Sequence, residues 1–320
     1  MTQISVVIPV YNEEESLPEL IEWIGRVMNS HGFSYEVVFI DDGSTDNSWE
    51  VISSFKTNYP IKAVRFSRNY GKSAALNVGF KQTKGDVVIT MDSDLQDSPD
   101  EIPALYEMIK NGQHLVSGWK KKRHDPISKT IPSKFFNRVT RIISGIKLHD
   151  FNCGLKAYDG RVVKTLEIYG EMHRYIPVIA KRNGFTKITE KVVEHRARKY
   201  GTTKFGIERF VYGFLDLISI SFVSKYRKRP MHFFGTLGTI SFFTGFISVL
   251  WMIWKKVQAL HFSENTEYRE VVDQPLFFIA LAAIIIGVQL FLAGFVGEML
   301  AMNFNSKKDY IFEETIGIDP

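Results

Sequence analysis

Two long stretches near the carboxyl end constrain this chain most. Met231 to Trp254 is 24 residues without a charged side chain, and Pro275 to Gly297 is another 23. About 20 such residues cross a bilayer as a helix. A buried core helix rarely stays uncharged for so long, so both stretches read as membrane spans, 231–254 and 275–297. Trp251 and Trp254 sit where an interfacial belt belongs. Lys225, Arg227, Lys228 and Arg229 precede the first span, and Lys307 and Lys308 follow the second. The link between them has Lys255, Lys256 and Arg269, diluted by Glu264, Glu267, Glu270 and Asp273. The positive-inside rule predicts a multi-pass hairpin with both termini, and the whole region before it, in the cytoplasm. Phe205 to Ser224 is apolar with only Glu208, Arg209 and Asp216 as charges, and reads as an amphipathic helix in the membrane interface.

The first 200 residues follow another pattern. Ile4–Val10, Tyr35–Ile40, Ile61–Phe66 and Asp86–Met91 are short apolar runs rich in β-branched residues, which predicts buried strands. Each ends in polar residues: Tyr11-Asn12-Glu13, Asp41-Asp42-Gly43-Ser44, Ser67-Arg68-Asn69, and Asp92-Ser93-Asp94-Leu95-Gln96. Segments with helical periodicity separate them. This pattern predicts a parallel α/β sheet with its site along the carboxyl edge of the strands. Alternate residues of an extended segment face one way, so Asp92 and Asp94 can converge on one cation. Hard carboxylates suit Mg²⁺ or Mn²⁺, whose remaining ligands are commonly phosphate oxygens and water. A metal-held diphosphate follows, and with it a nucleotide-linked substrate.

Other chemistries are poorly served. Gly71-Lys72-Ser73 resembles the end of a phosphate loop, but the glycine required five residues earlier is Phe66. The histidines lack metal-ligand spacing, and the single cysteine, Cys153, excludes an intrachain disulfide and fits a reducing compartment. The N-terminal apolar run has only the length of a strand and no basic flank, unlike a secretory leader. Net charge is +5 and the pI about 9.0. That balance favours anionic partners such as nucleotide diphosphates, lipid phosphates or an anionic membrane face, and no nucleic acid is expected. Ser44 is predicted to cap a helix running from Asp46.

Taken together, Pro9-x-Tyr11-Asn12-Glu13, Asp41-Asp42-Gly43-Ser44, Asn69-x-Gly71 through Asn77-x-Gly79, and Asp92-x-Asp94-Leu95-Gln96-Asp97 resemble the family 2 glycosyltransferases over roughly residues 1–230. The branch is similar to the polyprenyl-phosphate glycosyltransferases, such as dolichyl-phosphate mannose synthase. The resemblance implies a GT-A fold, a Rossmann-like, mostly parallel sheet flanked by helices. The expected organisation is a catalytic domain at 1–204, an interfacial helix and basic anchor at 205–230, a two-helix hairpin at 231–304 and a tail at 305–320.

The resemblance also implies roles. Pro9, Tyr11 and Glu13 would border the base and ribose, with Asp41 accepting from the nucleoside and Asp42 supporting it. Asp94 is the expected metal ligand, with Asp92 and Gln96 beside it, and Lys72 lies near the donor phosphate. Asp150, in His149-Asp150-Phe151-Asn152-Cys153-Gly154-Leu155-Lys156, is the candidate base or orienting group. Arg123, in the basic run Lys120-Lys121-Lys122-Arg123, is expected to meet the lipid phosphate through its fork of donors. Arg196 and Arg198 would face the diphosphate, and Lys204 would cover the donor or the acceptor phosphate.

The reading is an inverting, metal-dependent transfer of one sugar, UDP-glucose being the modal donor, to polyprenyl (undecaprenyl) phosphate. The site would face the cytoplasm of a bacterial inner membrane, and a homo-oligomer stays open. The rivals are a processive polysaccharide synthase, whose Gln-x-x-Arg-Trp motif is absent, and a non-catalytic membrane scaffold or flippase component.

Overall fold

The computed structural model describes residues 2–121, 137–196, 199–200, 226, 229–262 and 270–304. Two compact units divide the chain, Met1–Ser221 and Phe222–Pro320. The expected residues Arg123, Arg198 and Lys204, the predicted interfacial helix and the tail 305–320 lie outside the described residues.

In the first unit the strands are β1 (Ile4–Val10), β2 (Tyr35–Asp41), β3 (Ile61–Arg65), β4 (Val87–Thr90), β5 (Leu115–Trp119), β6 (Lys156–Asp159) and β7 (Ile188–Val192). They form one sheet in the order β3-β2-β1-β4-β6-β5-β7. β1 pairs in parallel with β2, Ile4 opposite Tyr35, and with β4, Ile4 opposite Val87. Only β6 runs against its neighbours, between β4 and β5. The four strands expected from apolar runs are thus present, and three further strands widen the sheet.

The period-two alternation of the strands feeds two cores. Ile4, Val6, Ile8, Val37 and Phe39 pack with Leu20 and Ile24 of α1 (Leu17–Ser30), Ile52 of α2 (Ser48–Ser54), and Leu105 and Ile109 of α4 (Ile102–Lys110). Val7, Val38, Ile40 and Val88 pack on the other face with Leu76 and Phe80 of α3 (Lys72–Gln82). Helical residues 137–144, α5, and then α6 (Gly160–Lys164) and α7 (Ile176–Arg182) complete the unit. β1, β2 and β4 are almost wholly buried, as strands covered on both faces must be.

The second unit holds two helices long and apolar enough to cross a membrane, Pro230–Phe262 and Pro275–Phe304. Both outrun the expected spans. Lys255 and Lys256, expected in the link, are helical, because charge ends a hydrophobic run without ending a helix. The pair packs antiparallel along small residues. A Cβ added to Gly238 would lie 2.6 Å from the Gly287 carbonyl oxygen, and one on Gly287 2.7 Å from that of Gly238. Glycine is needed there because the two backbones touch. Ser241 Oγ donates to the Ala283 carbonyl at 2.8 Å. Glu298, the one acid of the second helix, accepts from Met231 N at 3.2 Å and so caps the first helix where its dipole favours an anion.

Candidate active site

The loops after β1 and β2 lock onto each other through backbone donors. Asn12 N donates to Ser44 Oγ at 3.0 Å, and Thr45 N to Asn12 Oδ1 at 2.8 Å. Glu13 N donates to Ser48 Oγ at 3.0 Å, and Asn47 N to Glu14 Oε2 at 2.8 Å. Asn12 adopts φ 55°, a left-handed conformation that asparagine tolerates better than most residues. Ser44 therefore does not cap a helix as expected. It is committed to Asn12, while α2 starts only at Ser48, whose N–H bonds Asp46 Oδ1 at 3.0 Å.

Asp41 and Asp42, at the end of β2, are both buried. Asp41 accepts from Ser44 N at 2.9 Å and faces Arg65 Nε at 3.3 Å. Asp42 accepts from Tyr70 N and Gly71 N at 2.7 and 2.9 Å and so sets the entry to α3. Burial pushes the Asp42 carboxyl up, with Asp41 adding to it, against those two donors. Pro9, Tyr11 and Glu13 rim the same clasp and keep partial exposure.

Charge dominates the neighbouring stretch. Asp92, Asp94 and Gln96 are partly exposed while Ser93 and Leu95 are buried, but Ser93 and Asp94 form a turn rather than the extended segment expected. Leu95 takes φ 60° and Asp94 Oδ1 accepts from Gln96 N at 3.2 Å, turning the chain after the two carboxylates. Lys72, the first residue of α3, pairs with Asp92. Lys120 reaches the wholly buried Asp97 at 2.8 Å. Lys156 is only 4% exposed and donates to the Cys153 carbonyl. Burial acts to raise the Asp92 carboxyl, but the ammonium groups of Lys72, Lys120 and Lys156 outweigh it and hold it at about 2. Burial lowers Lys156 and pushes the Cys153 thiol up to about 12, leaving that thiol uncharged and inert.

The segment carrying Asp150 is stitched to this centre. Thr90 Oγ1 donates to the Gly154 carbonyl at 2.9 Å, and Ser117 Oγ to that of Asp150 at 3.1 Å. A Cβ on Gly154 would lie 2.4 Å from Asp92 Oδ2, so glycine lets the two segments meet. Asp150 is 1% exposed, and its Oδ1 accepts from Asn152 N at 3.0 Å. His195 bridges Asp97, Arg196 N donates to the Gln96 carbonyl at 3.0 Å, and the Arg196 guanidinium lies 4.3 Å over the Trp23 ring. The late basic motif thus abuts the Asp-x-Asp turn.

Sequence reasoning quoted Asp97, Lys120 and Lys156 within motifs yet gave them no role. The clue was Asp97 itself, an acid placed where the chain leaves a buried strand. Among the described residues no group of three His, Cys, Asp or Glu side chains could hold a metal ion. Asp92 and Asp94 would supply two carboxylates, which fits a cation whose other ligands come from a diphosphate.

Known proteins resemble this chain in sequence and in fold. The sequence profile of Glycosyl transferase family 2 matches residues 5–166. Dodecaprenyl-phosphate galacturonate synthase of Rhizobium johnstonii is 33% identical over 307 residues, 94% of this chain and 88% of that protein. Undecaprenyl-phosphate 4-deoxy-4-formamido-L-arabinose transferase of Pseudomonas fluorescens is 35% identical over 253 residues, covering 78% of this chain and 74% of that one. The fold matches glucosyl-3-phosphoglycerate synthase of Mycobacterium tuberculosis, solved with Mn²⁺, UDP-glucose and phosphoglyceric acid. There the TM-score is 0.55 at 19% identity, over 70% of this chain and 79% of that one. A GT-A sheet with this edge, matched over most of its length by named sugar transferases, leaves one assignment: the chain belongs to glycosyl transferase family 2 and is a glycosyltransferase.

Proposed function

We propose that the enzyme moves one sugar, with inversion, from a nucleotide sugar to a polyprenyl phosphate at the cytoplasmic face of a membrane. The observation that carries this is the pair Asp92 and Asp94, both partly exposed just after β4, with the ammonium groups of Lys72, Lys120 and Lys156 acting on Asp92. Such a set of groups suits a diphosphate, and the relatives' names supply the acceptor class. Two helices able to cross a membrane provide a lipid-facing anchor. The proposed orientation, with both ends of the hairpin in the cytoplasm, rests on the basic flanks at 225–229 and 307–308.

In the proposed reaction the acceptor phosphate oxygen attacks C1 of the sugar, and the C1–O bond to the diphosphate breaks with its electron pair leaving on the nucleotide. The clasp of Tyr11, Glu13 and Asp41 would hold the nucleoside. Asp92 and Asp94 would hold Mg²⁺ or Mn²⁺, which supplies Lewis-acid neutralisation of the leaving group. Lys72 would leave Asp92 for a phosphate oxygen, a short move for a flexible stem. A phosphomonoester is largely ionised near neutral pH, its second pKa being about 6. Asp150, buried behind its own turn, would therefore orient the acceptor segment and need not remove a proton. Arg196 would close the donor side. Arg123, Arg198 and Lys204 remain the proposed phosphate contacts from the neighbouring sequence.

The test is a panel of nucleotide sugars, UDP-glucose first, supplied with undecaprenyl phosphate to the full chain in detergent. A single glycolipid product carrying one sugar is expected. Polymer formation, or hydrolysis of the nucleotide sugar with no glycolipid, would overturn the reading.

A further inference from the structure

His149 stands directly before Asp150 and is held on two sides. Its backbone N–H donates to Glu190 Oε2 at 2.6 Å, and its Nδ1 pairs with Glu190 Oε1. Its ring stacks on Trp119 with centroids 4.1 Å apart and planes 13° from parallel. Trp119 ends β5 and Glu190 lies on β7, two hydrogen-bonded neighbours in the sheet. The imidazole is therefore fixed by rigid strands, not by a loop.

That clamp decides the chemistry of the ring. An ionised carboxylate only accepts hydrogen bonds, so Nδ1 must carry the hydrogen. Nε2, on the far edge of the ring, has no hydrogen-bond partner among the described residues, and the side chain is 50% exposed. The Lys121 ammonium lies 5.8 Å over the Trp119 ring. In the sequence, Trp119 and His149 bracket the segment that carries Arg123. Asp150, the next residue, is buried, whereas the histidine side chain is exposed.

We infer that His149, oriented by Glu190 and stacked on Trp119, donates through Nε2 to the phosphate of the acceptor lipid. Glu190 and Trp119 are positioning residues. The inference rests on the proposed polyprenyl phosphate acceptor and adds a residue to it. The carboxylate on Nδ1 fixes the orientation of the ring, and Nε2 donates when the imidazole carries both hydrogens, as it can opposite a phosphate dianion.

Two near-isosteres separate this role from a structural one. His149→Gln keeps a donor near the Nε2 position and gives up the bond to Glu190, whereas His149→Asn keeps a donor near Nδ1 and gives up Nε2. The full-length wild type is assayed first with the nucleotide sugar it uses and undecaprenyl phosphate, with the variants in parallel. His149→Asn should raise the KM for undecaprenyl phosphate about tenfold or more, as expected for losing a hydrogen bond to a charged group. The KM for the nucleotide sugar should stay unchanged, and His149→Gln should recover much of the loss. Glu190→Gln should give a smaller rise in the same constant. If the asparagine variant behaves as wild type while the glutamine variant fails, the ring is only a strut for Glu190 and the inference falls. A rise confined to the KM for the nucleotide sugar overturns it in favour of a donor contact. A wild type that makes no glycolipid overturns the acceptor reading and the inference with it.

Discussion

The two halves of the sheet's carboxyl edge are built differently. Around β1 and β2, backbone N–H groups donate to Asn12, Ser44, Ser48 and Glu14, a closed set of local bonds. Around β4, β5 and β6, side-chain ammonium groups face carboxylates: Lys72 to Asp92, Lys120 to Asp97, and Lys156 behind both. The first half is finished without a ligand. The second sets three lysines, Lys72, Lys120 and Lys156, among the carboxylates of Asp92, Asp97 and Asp150. The contrast separates a surface held by backbone donors, proposed to recognise the nucleoside, from one held by paired charges, proposed to neutralise the diphosphate.

The sharpest way to break this contrast is Asp94→Asn. Loss of one preorganised charge should lower kcat about 10³-fold with the circular dichroism spectrum unchanged. Excess chelator should do the same to the wild type, and full activity in chelator would remove the metal from the proposal. Next comes Asp97→Asn, which leaves Lys120 without its anion. Breaking a buried pair costs about 3 kcal/mol, readable as a lower denaturation midpoint. Asp97→Leu combined with Lys120→Met should regain much of it, and a double variant as unstable as the single would refute a purely electrostatic account. Gly154→Ala then tests the seam between segments. A methyl 2.4 Å from Asp92 Oδ2 must displace the carboxylate. A shift of that size costs up to about 10² in turnover. Asn12→Ala probes the other half, and losing one neutral hydrogen bond, about 1 kcal/mol, should raise the KM for the nucleotide sugar about fivefold and spare kcat. An effect on kcat alone would blur the two halves.

The smallest expected effect concerns acid. Asp92 titrates at about 2 in the folded protein, below the roughly 3.9 of an unfolded chain. Its pairing thus contributes stability that is complete above about pH 4 and is lost as pH falls toward 2. Lys72→Met should flatten that part of the unfolding profile, and an unchanged acid limb would show the pair to be inconsequential.

The sequence made the strand ends legible because apolar β-branched runs stop where the sheet stops. Asp92 and Asp94 could be picked out because they follow such a run, but extended alternation does not relate them, since Ser93 and Asp94 turn and Leu95 is left-handed. The lysine lattice could not. Lys120 and Lys156 belong to a type that usually stays in water, so nothing local marks one as buried. His149 and Glu190 meet only because β7 joins β5, a pairing fixed by tertiary packing rather than by any periodicity. Ser44 misled because its type favours caps, whereas a neighbouring loop claimed it first. The hairpin was legible in type, since hydropathy reports the solvent, but its ends were not.

The antiparallel β6 has a consequence of its own. It inserts between the strand that leads to Asp92 and the strand that ends in Trp119, and the turn leading into it carries Asp150. Neighbouring strands lie about 4.8 Å apart, a spacing set by backbone hydrogen bonds and indifferent to side chains. The strand ends proposed to handle the leaving nucleotide and the incoming phosphate therefore stand two such spacings apart, with β6 between them. Loops beyond those ends are free to change with the sugar or the lipid, and the spacing of the two ends stays the same.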